Sequence, residues 1–173
     1  MAIFCLLSLS ACTDFAAIFK NNSSRSYKPS KHNEGKKIAG TKKRNGRGKV
    51  AKGIFIWPVQ GEVSSPFGER EGRPHDGIDI RAPEGTPVEA SASGEVVYAG
   101  NMSGYGKLIV LKHENDYFTA YAHNSEIDVK EGKKVTQGEV ISKVGDTGHA
   151  TGYHLHFELR QGSTPMDPLL FLP

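Results

Sequence analysis

From residue 54 to residue 173, apolar residues occur in short runs that alternate with polar residues or are rich in β-branched side chains. The clearest of these runs are residues 94–98, 107–111, 118–121 and 138–144. Glycines and prolines separate them at intervals of roughly eight to twelve residues, a spacing typical of strands joined by turns. No window has the sustained 3.6-residue periodicity of a long amphipathic helix. The pattern predicts an all-β domain with one modest core.

The most regular alternation is the run Tyr-His-Leu-His-Phe-Glu-Leu at residues 153–159. A period of two predicts a half-buried strand, with His154 and His156 on one face and the apolar residues on the other. Two imidazoles on one strand face form a rigid pair of nitrogen donors. Such a pair suits a metal site, or one metal ligand beside one proton-transfer group. The alternative is a polar strand face in contact with water.

A second cluster of polar residues lies upstream, where His75 and Asp79 are separated by Gly77. Together with one histidine of the later pair, they would form a three-ligand set that leaves a fourth tetrahedral position open. An open position and the absence of cysteine from the set are typical of catalytic zinc sites rather than structural ones. Taken alone, His75 and Asp79 could be a turn charge and a cap. His123 adds a further imidazole.

Other short motifs accompany these residues in a defined order along the chain. They are Ser-Pro-Phe-Gly at 65–68, Ala-Pro-Glu-Gly-Thr-Pro-Val at 82–88, Gly-Tyr-Gly at 104–106, Tyr-Ala-His at 121–123, Val-Lys-Glu-Gly at 129–132 and Gly-Asp-Thr-Gly at 145–148. With these motifs, the segment from about Trp57 to Pro173 resembles the lysostaphin/LytM-type zinc endopeptidases, which cut the peptides of bacterial cell walls. The resemblance covers nearly all of the last two-thirds of the chain.

The resemblance implies a ligand set and a fold. By position, His75, Asp79 and His156 would bind Zn²⁺, and His123 and His154 would be catalytic histidines that do not bind it. The implied architecture is an antiparallel β-sandwich or partly open barrel, the duplicated hybrid motif of lysostaphin-like domains. The zinc would lie in a groove on one sheet.

These residue types favour metal-assisted hydrolysis of an amide bond. Zinc lowers the pKa of bound water and polarises a scissile carbonyl. One imidazole can transfer a proton from the water to the leaving amine, and a second can stabilise the oxyanion. The sequence does not assign these two roles between His123 and His154. The chain has no serine or cysteine nucleophile motif, which disfavours covalent catalysis.

The interpretation is therefore a zinc-dependent endopeptidase that hydrolyses peptide bonds of peptidoglycan in cell-wall remodelling or division. The alternative is a non-catalytic, NlpD-like envelope lipoprotein that activates a cell-wall amidase, because residues 121–124 and 168–173 also resemble that branch of the family. That branch loses metal ligands, whereas all five site positions are retained here. The predicted partners are peptidoglycan peptides, with an amidase or division proteins as further partners.

Two other histidines receive weaker interpretations. His149 belongs to the glycine-bounded loop before the histidine strand, at the expected rim of the site, where it would contact substrate or remain an exposed loop residue. His113 lies in the polar run Lys-His-Glu-Asn-Asp, which predicts a hairpin turn and a solvated side chain.

The N-terminal third has a different composition. Residues 1–11 form a short apolar run, and Leu-Ser-Ala-Cys at 9–12 resembles a lipobox, in which Cys12 would be lipidated after signal cleavage. Acyl chains there would anchor the domain to a membrane, with the domain in the cell envelope facing the periplasm or cell wall. The apolar run is short and lacks a positively charged start. The remaining cysteine, Cys5, would leave with the signal.

Residues 12–53 are predicted to be a disordered basic linker, followed by the metallopeptidase domain at 54–173. Residues 20–52 contain 12 of the 22 basic residues and one acidic residue, Glu34, whereas residues 53–173 carry a net charge of −7. This charge suits attraction to anionic lipid or peptidoglycan carboxylates. Nucleic acid is disfavoured as a partner, because Tyr27 is the only aromatic residue of the linker beyond Phe19.

Overall fold

The computed structural model describes residues 15–23, 54–70 and 72–173. Within these residues, the chain forms one α-helix, α1 (Phe15–Asn22), and twelve β-strands. The strands are β1 (Glu62–Ser65), β2 (Gly68–Arg70), β3 (Arg73–His75), β4 (Ile78–Arg81), β5 (Pro87–Glu89), β6 (Gly94–Met102), β7 (Gly106–Lys112), β8 (Tyr117–Ile127), β9 (Lys134–Val135), β10 (Val140–Val144), β11 (His154–Gln161) and β12 (Thr164–Met166).

Ten of the strands form one large antiparallel sheet, and β2 and β3 form a separate hairpin. The main path through the sheet is β1-β4-β11-β8-β7-β6-β9, while β10 pairs with β5 and β8, and β12 extends beyond β11. The predicted all-β, antiparallel fold is confirmed. The sheet is open rather than closed into a barrel.

The two faces of the sheet carry separate apolar clusters. The larger cluster contains Leu155, Phe157 and Leu159, each at most 1% exposed, as the alternation in β11 predicts. The smaller cluster lies on the opposite face and contains Leu108 and Phe118. Because side chains alternate along a strand, the residues of β11 between the apolar positions face the side of the smaller cluster.

Strand register brings distant parts of the chain together. Strand β11 lies between β4 and β8, and His156 is paired with Asp79 on one side and with Ala122 on the other. Paired residues project from the same face of a sheet. The register therefore places Asp79 and His156 side by side, with His123 one residue beyond the second partner.

Residues 15–23 differ from the sequence prediction, which included them in a disordered linker over 12–53. They form α1 and its final turn, because Ile18 and Phe19 are buried in the smaller apolar cluster and Phe15 packs against it. No helix among the described residues has the length and apolar character needed to cross a bilayer. The predicted signal at 1–11, the lipidation site Cys12 and the rest of the linker lie outside the described residues.

Candidate metal centre

Three side-chain atoms converge at one point of the sheet. Asp79 Oδ1 lies 3.1 Å from His75 Nε2 and 2.9 Å from His156 Nδ1, and the two nitrogens are 3.2 Å apart. Zinc bound tetrahedrally at about 2.0–2.1 Å places neighbouring ligand atoms about 3.3 Å apart. The triangle of donors therefore has the size and the chemistry of a three-ligand zinc site.

The hairpin and the sheet register set this triangle. His75 is the last residue of β3, and the short link through Asp76 and Gly77 turns the chain into β4. A Cβ atom at Gly77 would lie 2.3 Å from the carbonyl oxygen of Phe157, in the backbone of β11. Only glycine allows β4 to approach β11 this closely at the turn.

Contacts outside the triangle select the tautomers of both imidazoles. His75 Nδ1 donates to the carbonyl oxygen of Pro66 at 2.7 Å, which leaves Nε2 available as a ligand. His156 Nε2 donates to Glu158 Oε1 at 3.1 Å, which leaves Nδ1 directed at Asp79. Hydrogen bonds of this kind orient metal-binding histidines and raise their basicity.

The electrostatics of the triangle match a site for a cation. Burial opposes ionisation of Asp79, but its interactions with His156 and His75 outweigh it and hold its pKa well below the usual range. Burial also opposes protonation of His156, yet its hydrogen bonds to Asp79 and Glu158 prevail and raise its pKa to about 9. At neutral pH the ring of His156 therefore carries a proton on both nitrogens. A bound metal cation would replace the proton on Nδ1.

The two other predicted histidines lie beside the triangle. The ring centroids of His123 and His154 are 4.8 Å apart, and His154 Nε2 lies 3.7 Å from Asp79 Oδ1. Each ring donates from Nδ1 to a backbone carbonyl at 2.7 Å, His123 to Thr147 and His154 to Gly152. Both Nε2 atoms are consequently unprotonated in the neutral rings and can accept a proton.

His123 reaches the site through an irregularity in β8. The register between β7 and β8 shifts where Ala122 and His123 lie opposite Leu108, and His123 has a φ of 63°. A β-bulge of this kind redirects a side chain relative to regular alternation. Burial lowers the pKa of His123 to about 4, so the ring is neutral at physiological pH.

Sequence reasoning missed the residues that surround the triangle. Glu158 is fully buried and accepts hydrogen bonds from His156, Tyr105 (2.9 Å) and Arg160 Nε (2.6 Å). Arg70 lies 3.3 Å from Asp79 Oδ2. The signal for Glu158 and Arg160 was present, because they continue the two-residue period that begins at His154 and His156.

The structure also locates His149 and His113, and contact of His149 with substrate stays a prediction. His149 is exposed and lines the same groove as the triangle, together with Arg70, Tyr105 and Thr151. The solvated interpretation of His113 was wrong, because this ring is buried between the carbonyl oxygen of Ser93 (2.9 Å) and the hydroxyl of Thr119 (2.7 Å). Burial lowers the pKa of His113 to about 4.

Residues 73–168 match the sequence profile of peptidase family M23. The murein hydrolase activator NlpD of Escherichia coli strain K12 is 45% identical over 118 residues, which cover 68% of this chain and 31% of that protein. The chain spans between about a fifth and a half of the length of the curated relatives it matches.

Solved structures share the fold. A zinc-containing peptidase from Vibrio cholerae aligns with a TM-score of 0.62 and 34% identity, over 67% of this chain and 39% of that one. The catalytic domain of the antimicrobial peptidase lysostaphin from Staphylococcus simulans aligns with a TM-score of 0.55 and 38% identity, over 64% of this chain and 89% of that domain. Since the family profile covers more than half of the chain, and the fold agrees, this chain belongs to peptidase family M23.

Proposed function

We propose that this chain is a zinc-dependent endopeptidase that hydrolyses peptide bonds of bacterial peptidoglycan. The supporting observation is the convergence of His75 Nε2, Asp79 Oδ1 and His156 Nδ1 within 3.2 Å of one another, beside two imidazoles that can accept protons. A purely structural zinc site would be closed by a fourth protein ligand. Here the triangle of ligands opens into a groove.

The residues of the site divide the chemistry among them. Zinc, when bound to the triangle, supplies Lewis-acid activation of a water molecule and of the scissile carbonyl. The Nε2 atom of His154 or His123 takes the proton of the attacking water and returns it to the leaving amine. The other imidazole, in its protonated form, donates from Nε2 to the negative charge that develops on the carbonyl oxygen. Arg70, on the groove wall, is placed to contact substrate.

Location in the cell envelope follows from the same proposal. Several relatives are named as lipoproteins, and Cys12 would carry the equivalent anchor on this chain. The basic residues between 20 and 52 would attract anionic lipid or peptidoglycan carboxylates.

The test is digestion of purified peptidoglycan by the zinc-loaded chain, with mass spectrometry of the released fragments. Wild-type protein should generate new peptide ends, and their masses identify the bond that is cut. His154→Ala should reduce the rate at least about 100-fold, because a general acid–base group typically contributes about 10²–10⁴. Asp128→Asn, at an exposed position outside the groove, should retain the activity.

Zinc binding by the His154→Ala variant must be measured in parallel, since His154 is not in the ligand set. A variant that binds zinc normally and cleaves as fast as the wild type would contradict the assigned role of His154. A wild-type chain that binds zinc and releases no fragments would contradict the endopeptidase proposal.

A second function is favoured by the 45% identity to the murein hydrolase activator NlpD. On this alternative, the M23 fold binds a cell-wall amidase and activates it without cutting peptidoglycan itself. The experiment is amidase digestion of peptidoglycan in the presence of wild-type chain or His154→Ala. Equal stimulation by both proteins, with no fragments released by either alone, would support the activator function.

A further inference from the structure

Strand β11 runs from the triangle of donors to helix α1, and its side chains on one face of the sheet connect the two. His156, Glu158 and Arg160 alternate along this face, and each is less than 10% exposed. Glu158 contacts His156 on one side and Arg160 on the other. A row of charged residues on an open sheet face would ordinarily be hydrated. In this chain the far end of the row is covered by α1.

Two aromatic rings of α1 cover the guanidinium group of Arg160. Its central carbon lies 5.0 Å from the ring centroid of Phe15 and 4.9 Å from that of Phe19. The edges of the guanidinium group bind Glu158, the Asp76 carboxylate (2.6 Å) and the carbonyl oxygen of Ser163. Cation–π contacts are stronger when the cation is removed from water. Helix α1 therefore excludes water from the guanidinium group of Arg160 and fixes its orientation.

Helix α1 also contacts Tyr105, a second partner of Glu158. The ring of Phe15 stacks on that of Tyr105 with centroids 4.3 Å apart, and the Tyr105 hydroxyl donates to Glu158 Oε1. Burial and the neighbouring Glu158 raise the pKa of Tyr105, so the hydroxyl keeps its proton and remains a donor. Both supports of Glu158, the tyrosine and the arginine, thus rest on the same ring of α1.

The helix is held at both ends. Phe15 packs against Tyr105 at the start, and the Lys112 ammonium group contacts the Asn22 carbonyl oxygen at the end. In between, Ile18 and Phe19 are buried among Leu108, Phe118 and neighbouring residues. An isolated helix of eight residues is unstable in water, so these contacts with the sheet are what maintain it.

From this geometry, we propose that α1 is a positioning element of the metal centre, with Phe15 as its main positioning residue. When α1 is docked, it fixes the positions of Tyr105 and Arg160, and these two residues fix the carboxylate of Glu158. Glu158 in turn holds His156 in the tautomer that presents Nδ1 to the metal. Release of α1 would hydrate Arg160 and Glu158 and lower the affinity of the triangle for zinc. The inference rests on the zinc site of the proposed function, and not on catalysis.

The experiment measures zinc affinity of the full chain by competition with a chromophoric chelator, far below the melting temperature. Phe15→Leu keeps an apolar side chain and good helix propensity but removes the ring. It should lower zinc affinity about threefold, less than the 10–100-fold typical of a direct partner of a ligand. The Phe15→Leu/Phe19→Leu double variant should lower it about tenfold. Phe15→Tyr restores a ring and should restore the affinity.

The matched control is Lys20→Ala, an exposed position on the same helix. Circular dichroism and thermal melting establish whether each variant is folded. If the double variant is not folded, the zinc affinity of Phe15→Leu alone tests the positioning role of α1. Affinities of both leucine variants equal to that of Lys20→Ala would overturn the inference while leaving the zinc site intact. A wild-type chain without zinc affinity would contradict the proposed function and this inference together.

Discussion

At the scale of single residues, the tautomer of His156 in the triangle of donors depends on Glu158. This carboxylate is enclosed by three donors, His156 Nε2, the Tyr105 hydroxyl and Arg160 Nε, and is fully buried. Burial opposes its ionisation, but the hydrogen bond and charge of His156 and the charge of Arg160 lower its pKa. The negative charge of Glu158 keeps a proton on His156 Nε2, so Nδ1 is the ring nitrogen that a metal cation would bind in place of its proton.

Replacement of this charge should weaken the site without removing a ligand. In Glu158→Gln the amide retains one acceptor but presents an NH₂ group to surrounding donors, so the orientation of His156 is lost. Zinc affinity should fall about 10–100-fold. The control is Glu62→Gln, an exposed carboxylate in the same sheet. Equal zinc affinities for the two variants, measured by chelator competition, would contradict this role.

His113 is a second residue whose burial has a measurable consequence. Its pKa is about 4 in the folded chain and about 6.5 when unfolded, so the unfolded chain binds more protons between these values. The free energy of unfolding should therefore fall as the pH is lowered from about 6.5 to about 4, by about 3 kcal/mol from this residue.

The measurement is urea unfolding of the metal-free chain across this pH range. His113→Gln should be less stable at pH 7 but should lose less stability on acidification than the wild type. His149→Gln, at an exposed position, should retain the wild-type slope. A wild-type slope in His113→Gln would show that this residue does not titrate as described.

At the scale of elements, the site depends on how closely β4 and β11 approach each other. The pairing of Asp79 with His156 follows directly from this register. The bulge in β8 then adds His123, which regular alternation would direct toward the other face. Backbone pairing thus sets the positions of the proposed ligands Asp79 and His156, and a local departure from regular pairing sets the position of His123.

Gly77→Ala tests the approach of the two strands. The added methyl group would meet the backbone of Phe157 at 2.3 Å, and neither strand can yield without loss of register. We expect a loss of about 1–3 kcal/mol in the free energy of unfolding, with a parallel loss of zinc affinity. The control is Gly100→Ala in β6, where the atoms nearest to the methyl group belong to the Tyr98 side chain, the closest at 3.3 Å. Similar effects in both variants would contradict the argument.

At the scale of the whole molecule, zinc should stabilise the fold, because its proposed ligands come from β3, β4 and β11 and meet only when the chain is folded. At a free zinc concentration of 100 times the dissociation constant, the free energy of unfolding should rise by about 2.7 kcal/mol. Asp79→Asn should abolish this gain, and Asp128→Asn, at an exposed position, should retain it. Thermal melting with and without zinc is the measurement, and a gain in Asp79→Asn would contradict the ligand assignment.

Much of this architecture was predictable from local patterns. The alternation at 153–159 predicted a strand with histidines on one face and Leu155 and Phe157 in the core, and the structure has both features. The pattern could not predict that Glu158 and Arg160 would be buried, because alternation reports the side of the strand and not what covers it. His113 was misassigned for the same reason, since a polar run was taken to indicate exposure.

The sequence by itself determined the class of the fold and the chemical types of the site residues. Period-two alternation follows from the pleat of a strand, and donor types follow from side-chain chemistry, so both can be read locally. Only the tertiary structure decided that Asp79 and His156, 77 positions apart, are paired, and that α1 packs over Arg160. Those outcomes depend on strand register and on which apolar surfaces meet, and neither property is contained in any short segment of the chain.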